Sequence, residues 1–175
     1  MGYSICSFPR PSRGGGIVVY SDTLAKCQTS TSLFPFHHPS FEATHSSLTL
    51  SPNSLHFMCV HRPPLSRKNK LTDAMFHDKF PDLFNFCNNL SGKCIILGDM
   101  NVHSDSPNNS CTAKLLSSLD ILNFSQAVNE PTRERGHTLD WVISRPEDNV
   151  LCSTSVTQSI LSDHFCVVCE PWPCC

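Results

Sequence analysis

Apolar residues recur along this chain in two periods, close to two and close to 3.6, and the changes between them mark out the elements. Ile17-Val18-Val19-Tyr20 is a short β-branched run directly after Gly14-Gly15-Gly16. Residues 41–50 and 55–60 alternate on either side of Ser51-Pro52-Asn53-Ser54, which predicts a hairpin and gives three strands before Arg62. Over 72–90, Met75, Phe76, Phe80, Leu83, Phe84, Cys87 and Leu90 return at helical spacing, with Pro81 expected to kink the helix or split it in two. A buried strand is predicted at 94–97. A polar loop over 102–110 follows, whose last residues cap a helix running to Leu122 with Leu115, Leu116, Leu119 and Leu122 on its inner face. Strands at 139–143 and 165–169, and a weaker one over 155–160, complete the pattern. Residues 1–13, with Pro9 and Pro11, read as an irregular lead-in, and 171–175 as a disordered tail. With no internal repeat and no linker, residues 14–170 are predicted to form one mixed α/β domain.

Composition narrows the partners. A chain of 175 residues can bury roughly 70% of the surface its unfolded form exposes. The net charge of −2 gives no bulk attraction to nucleic acid, so any such affinity must be local. The one dense basic run is 62–70, where Arg62, Arg67, Lys68 and Lys70 are candidate contacts to a nucleic-acid backbone; a solvated loop ahead of the helix is the plain alternative. Charged residues make up only 16% beside 13 prolines and 11 cysteines, a balance that suggests a drifting or fragmentary sequence. The cysteine count is odd, and Cys59, Cys94, Cys166 and Cys169 sit in apolar stretches, as free buried thiols do. Reduced cysteines and an intracellular setting, nuclear or cytoplasmic, are therefore expected. Cys166-Val167-Val168-Cys169 has half the spacing of a zinc knuckle but reads as a strand, and His37-His38-Pro39 reads as loop. No run of about 18 apolar residues predicts a membrane span.

Three short acidic motifs carry the chemistry: Gly98-Asp99-Met100-Asn101, Thr138-Leu139-Asp140-Trp141 and Ser162-Asp163-His164, each where a strand is expected to end. Cleaving a phosphodiester needs charge stabilisation at the phosphate oxygens, an aligned water and relief at the leaving oxygen, and carboxylates holding a divalent ion supply much of this. In an extended segment Asp99 and Asn101 project to one side, where a carboxylate and an amide could orient one water. Asp163 is a candidate hard-cation ligand. His164 is a candidate phosphate donor, with Asp140 orienting its far nitrogen. Taken singly, Asp-x-Asn is commonly a turn or cap, Ser-Asp-His a surface turn, and Asp140 a solvent-facing edge residue; a carboxylate flanked by Leu139 and Trp141 in a half-buried strand, however, needs a partner.

These stretches, with Arg13-Gly14-Gly15-Gly16-Ile17, Val60-His61-Arg62-Pro63-Pro64 and Pro131-Thr132-Arg133 through His137, resemble the endonuclease/exonuclease/phosphatase superfamily over residues 14–170. The likeness is strongest to the apurinic-endonuclease-like domain of non-LTR (LINE-type) retrotransposons. The resemblance implies a four-layer α/β sandwich of two mainly antiparallel β-sheets flanked by helices. It implies DNA cleavage with Mg²⁺ or Mn²⁺, a reverse transcriptase domain in the full-length parent, and no membrane. By it, Asp99 and Asn101 would activate and position the water, Asp163 would help hold the metal, and His164 with Asp140 would bind and polarise the phosphate. His61 stands where a Tyr donor is usual. The family's opening strands, one with an Asn and one with a metal-binding Glu, have no counterpart before Gly14. An N-terminally truncated domain with a weakly held metal is therefore expected, its activity reduced or lost. Glu42 falls where the family places an ordinary strand and is not expected to replace that Glu. A non-catalytic remnant binding nucleic acid or protein, and a phosphoesterase acting on another substrate, are the alternatives.

Overall fold

The computed structural model describes residues 2–9, 16–23, 27–30, 38–50, 53–160 and 162–171. Its elements in chain order are β1 Tyr3–Pro9, β2 Gly16–Asp22, β3 Cys27–Ser30, β4 Glu42–Leu50, β5 Asn53–His61, α1 Asp73–Asn88, β6 Lys93–Asp99, α2 Ser110–Ile121, β7 Ser125–Gln126, β8 Asp140–Ser144, β9 Leu151–Thr157 and β10 Cys166–Pro171. Six strands form one sheet in the order β3-β4-β5-β6-β8-β7, and β1-β2 and β9-β10 form two ribbons. Every pairing is antiparallel except β5 with β6, which α1 connects as a crossover.

Alternation along the strands sorts the core onto the two faces of the central sheet. Met58, Val60, Ile96, Trp141 and Ile143 pack against α1 and α2. Leu55, Ile95 and Val142 pack on the other face with Val156 and Val167 of β9 and β10. The α/β class expected from the sequence is the one observed. Of the sandwich, the described residues form a helical layer, the six-stranded sheet and ribbons, with the expected second sheet represented by two-stranded pieces.

Four local expectations are corrected. Residues 3–9, read as an irregular lead-in, are a strand, because β2 supplies a partner register from Tyr3↔Asp22 to Pro9↔Gly16 that no local pattern reveals. The helix is not split at Pro81: α1 runs unbroken for 16 residues, started by Thr72 Oγ1 accepting from the Met75 N–H at 3.2 Å. Its buried Phe76 and Phe80 stack with centroids 4.5 Å apart, and Phe80 meets Phe84 at 5.1 Å, so burial of the aromatic face offsets the hydrogen bond lost at Pro81. Asn53 and Ser54, read as turn, already pair as strand with Leu50 and Thr49. The weaker strand lies at 151–157 rather than 155–160, since Asn149 takes a left-handed conformation (φ 46°) that turns the chain into β9 early. Helix α2 is capped as expected, with Asn109 Oδ1 accepting from the Cys111 N–H at 2.9 Å. Residues 10–15, 31–37 and 172–175, and with them the start of the glycine run, His37 and the end of the tail, lie outside the described residues.

Candidate active site

Strand register brings the site together. Glu42 pairs with His61 between β4 and β5, His61 with Asp99 between β5 and β6, and Asp99 with Asp140 between β6 and β8. Four side chains from four adjacent strands thus form one transverse row at one end of the sheet. Gly98 permits the close approach of β6 to β5 next to that row. A Cβ there would lie 1.9 Å from the Val60 carbonyl oxygen, and its φ of +136° suits only glycine.

Asp99 sits at the centre of the row. Burial pushes its carboxyl above the usual carboxylate range and the Asp140 charge adds to that, against the opposing pull of the Asn101 backbone N–H, His164 and His61. The Asn101 N–H donates to Asp99 Oδ1 at 2.9 Å and its side-chain amide to Asp99 Oδ2 at 3.1 Å. The same amide donates to the Arg62 carbonyl at 2.7 Å. Asn101 does this from a left-handed backbone (φ 45°), so the extended geometry expected for this pair is replaced by a tight turn in which the Asn fixes the Asp.

Two imidazoles flank Asp99, each bound to a carboxylate. His164 Nδ1 lies 3.0 Å from Asp140 Oδ2, the orienting contact expected from the sequence, while its Nε2 lies 3.9 Å from Asp99 Oδ2. On the opposite side His61 Nδ1 lies 3.3 Å from Glu42 Oε2. Each of these side chains retains between 19% and 28% of its exposure, so the row is accessible at the surface. Glu42, read as an ordinary strand residue, is therefore part of the cluster.

The segment 132–139 fixes both Asp140 and the His164 loop. Fully buried Thr132 accepts at Oγ1 from the backbone N–H groups of Leu139 (3.0 Å) and Asp140 (3.1 Å). Its carbonyl accepts from the Phe165 N–H at 2.8 Å, and Arg133 bridges to His164. Arg133 also pairs through Nε (2.9 Å) and a second, shorter contact with the Asp163 carboxylate, which holds that carboxyl below its usual range. Asp163 thus faces a guanidinium in the position where the resemblance led us to expect a metal. Neither Thr132 nor Arg133 was singled out from the sequence as a site residue, although the Pro131-Thr132-Arg133 stretch that contains them was part of the resemblance.

Arg62 is corrected: it is 2% exposed and not available to a nucleic-acid backbone. Its guanidinium donates to Asp73 at 2.6 Å and lies over the Phe76 ring, 4.4 Å from the centroid. Arg67, Lys68 and Lys70 are exposed on a turn closed by reciprocal Ser66–Asn69 hydrogen bonds of 3.1 and 3.2 Å. The thiols of Cys166 and Cys169 are free along β10. No helix among the described residues is long and apolar enough to cross a membrane.

Comparison with known proteins agrees with this architecture. The endonuclease domain of TRAS1, a telomere-specific non-LTR retrotransposon, superposes with a TM-score of 0.69 at 12% identity, covering 98% of this chain and 81% of that one. The human Nocturnin catalytic domain, solved with a bound sulfate anion, gives 0.62 at 17% identity over 96% and 71%. The 3′ phosphatase NExo from Neisseria, solved with a product DNA hairpin, gives 0.60 at 15% over 97% and 79%. At these identities the likeness shows the fold alone. No curated protein sequence matches the chain. The family model described as endonuclease-reverse transcriptase matches residues 55–168, from within β5 into β10 and through all three acidic motifs. By that match, over well more than half its length, the chain belongs to the endonuclease-reverse transcriptase family, within the endonuclease/exonuclease/phosphatase superfamily.

Proposed function

We propose that this protein is a divalent-metal-dependent phosphodiesterase acting on DNA, the endonuclease module of a retrotransposon polypeptide that also carries a reverse transcriptase. The observation that carries the reading is Asp99 held between two imidazoles, His61 and His164, each oriented by its own carboxylate. In this reading a water attacks phosphorus as the ester P–O bond breaks, and the water's proton passes to Asp99. The raised affinity of that carboxyl for a proton suits the role. Asn101 keeps both Asp99 oxygens in place. Asp140 accepts from His164 Nδ1–H, and in the imidazolium form Nε2–H donates to a phosphoryl oxygen; Glu42 holds His61 in the same way. Arg67, Lys68 and Lys70, exposed on the turn after Arg62, supply salt-sensitive contacts to DNA in this reading.

The donor chemistry fits a hard ion. Asp99, with Asp163 if it exchanges Arg133, is a carboxylate of the kind that takes Mg²⁺ or Mn²⁺, while Glu42 is engaged by His61. When bound, such an ion neutralises phosphate charge and favours a nucleophilic hydroxide. A weakly held metal and a low turnover follow from the engagement of Asp163 by Arg133. That ion pair also favours the second reading, a remnant that binds nucleic acid without cutting it.

The test is nicking of supercoiled plasmid by the purified chain in Mg²⁺ and in EDTA, with Asp99→Ala and His164→Ala beside it. Metal-dependent nicking that falls at least ~100-fold in both variants is expected. No nicking from a folded sample that still binds DNA in a salt-dependent way would leave the remnant reading in its place.

A further inference from the structure

Outside the row of acidic and imidazole groups, the loop after Asn101 meets the segment before Asp140, and three ligating side chains converge where they meet. His137 Nδ1 lies 3.2 Å from Asp105 Oδ2, and His103 Nδ1 lies 3.8 Å from Asp105 Oδ1. The two imidazole rings meet edge to face, with centroids 4.4 Å apart and planes at 84°. One ligand atom from each of the three lies within 4.8 Å of the other two. We propose that His103, Asp105 and His137 form a second metal site, for Zn²⁺ or a similar borderline ion, that clamps the loop 102–110 to the segment 130–138.

Donor type separates this site from the first. Two imidazoles and one carboxylate are the donors of Zn²⁺, Co²⁺ and Ni²⁺, whereas Mg²⁺ takes oxygen ligands almost exclusively. Three protein ligands leave a fourth, open position for water. The backbone around the ligands is already laced. The Ser104 N–H donates to the Thr138 carbonyl at 3.0 Å, the Thr138 N–H to Asp105 Oδ1 at 3.0 Å, and the Thr112 hydroxyl to the His103 carbonyl at 3.0 Å. The Asp105 carboxylate thus has the outer hydrogen bond that fixes a ligand's orientation.

Closure is a small movement. Bonds of about 2.0–2.1 Å to a tetrahedral ion place ligand atoms roughly 3.3 Å apart, so from separations of at most 4.8 Å the contraction needed is no more than about 1.5 Å. The side chains of His103 and His137 are 43% and 44% exposed and can swing without disturbing the core. A plain surface ion pair between Asp105 and the two imidazoles is the competing account, and it requires no metal.

The probe is Co²⁺ alone, titrated into the full chain and followed by visible absorption. One equivalent is expected to give d–d bands of a nitrogen and oxygen site without a thiolate-to-cobalt band, the control that matters in a chain with 11 cysteines. Zn²⁺ should displace it stoichiometrically and raise Tm, and excess Mg²⁺ should not. His137→Ala should weaken binding at least ~100-fold, while His164→Ala leaves it unchanged. If His137→Ala does not fold, His103→Ala carries the same test. Absence of binding, displacement by Mg²⁺, or a thiolate band that survives both His variants would overturn the proposal. The readout is binding, so the result is independent of whether the protein nicks DNA.

Discussion

Replacing Thr132 by Val tests whether one hydroxyl organises the site. The side chain is fully buried and its Oγ1 accepts from two consecutive backbone N–H groups, those of Leu139 and Asp140. Valine keeps the shape and removes the acceptor. The Leu139 N–H is then buried with no partner, at a cost of about 1–3 kcal/mol, and the partly exposed Asp140 N–H adds a smaller amount, for about 2–4 kcal/mol in all. Serine keeps the acceptor and loses one methyl, about 1 kcal/mol. For a chain of this length each kcal/mol moves Tm by about 2–4 °C. Thr132→Val should therefore melt well below Thr132→Ser, which should melt just below the parent. The order is diagnostic, because an account in which Thr132 only fills space ranks Val above Ser. Urea unfolding at constant m gives the same comparison as a midpoint shift. Since Asp140 N–H is one of the two donors, nicking should be preserved in Ser and lost in Val. A Val variant at least as stable as Ser would refute the reasoning.

Two further outcomes follow from the same geometry. Gly98→Ala places a Cβ against the Val60 backbone at a strongly positive φ, so β5 and β6 must part. A loss of about 3 kcal/mol or more is expected in thermal unfolding, and separation of His61 from Asp99 should abolish nicking even at temperatures where the variant is folded. Asp99→Asn should remove activity yet stabilise the fold at neutral pH. The folded carboxyl binds its proton more tightly than the unfolded one. Relative to Asn, the parent therefore loses stability as pH rises from its ordinary value of 3.8 through the raised folded value, and keeps that deficit above it. Thermal melts of the two proteins should converge at pH 3 and separate by pH 7, and a separation that runs the other way would sink the assignment.

Much of this was legible in the residues. Short β-branched, alternating or continuous apolar runs located β2, β4, β5, β6, β8 and β10, and the 3.6-residue repeat located α1 and α2. The acidic motifs stood out because polar groups at the ends of buried strands need partners. What stayed hidden depends on long-range pairing. Cys27-Gln28-Thr29-Ser30 has no apolar alternation and is a strand only because β4 offers it an edge. Glu42 reaches the site through the Glu42↔His61 register, which local pattern does not encode. Arg62, the first residue of a basic run, is withdrawn from that run by Asp73 and Phe76 one helix start away. Asp163 looked like a free ligand because its partner, Arg133, lies 30 positions earlier.

The burial of Arg62 also bears on how the turn that carries Asp99 is held. Its backbone N–H donates to the Asp99 carbonyl at 2.8 Å, its carbonyl accepts from the Asn101 side chain, and its guanidinium reaches the Asn101 carbonyl at 3.5 Å. Every polar group of that residue except Nε is therefore spent on Asp99, Asn101, Cys111 or the start of α1. A charge buried for this purpose adds little net stability, since its desolvation cancels much of the ion-pair gain. What it supplies is definition. The left-handed Asn101 and the glycine before Asp99 are both strained or permissive positions, and a turn built from them would sample several geometries without a neighbour that bonds to both of its ends. Arg62 therefore belongs to the Gly98–Asn101 turn as a positioning residue. The sheet end places Asp99, but it is the helix-anchored arginine that fixes the turn around it.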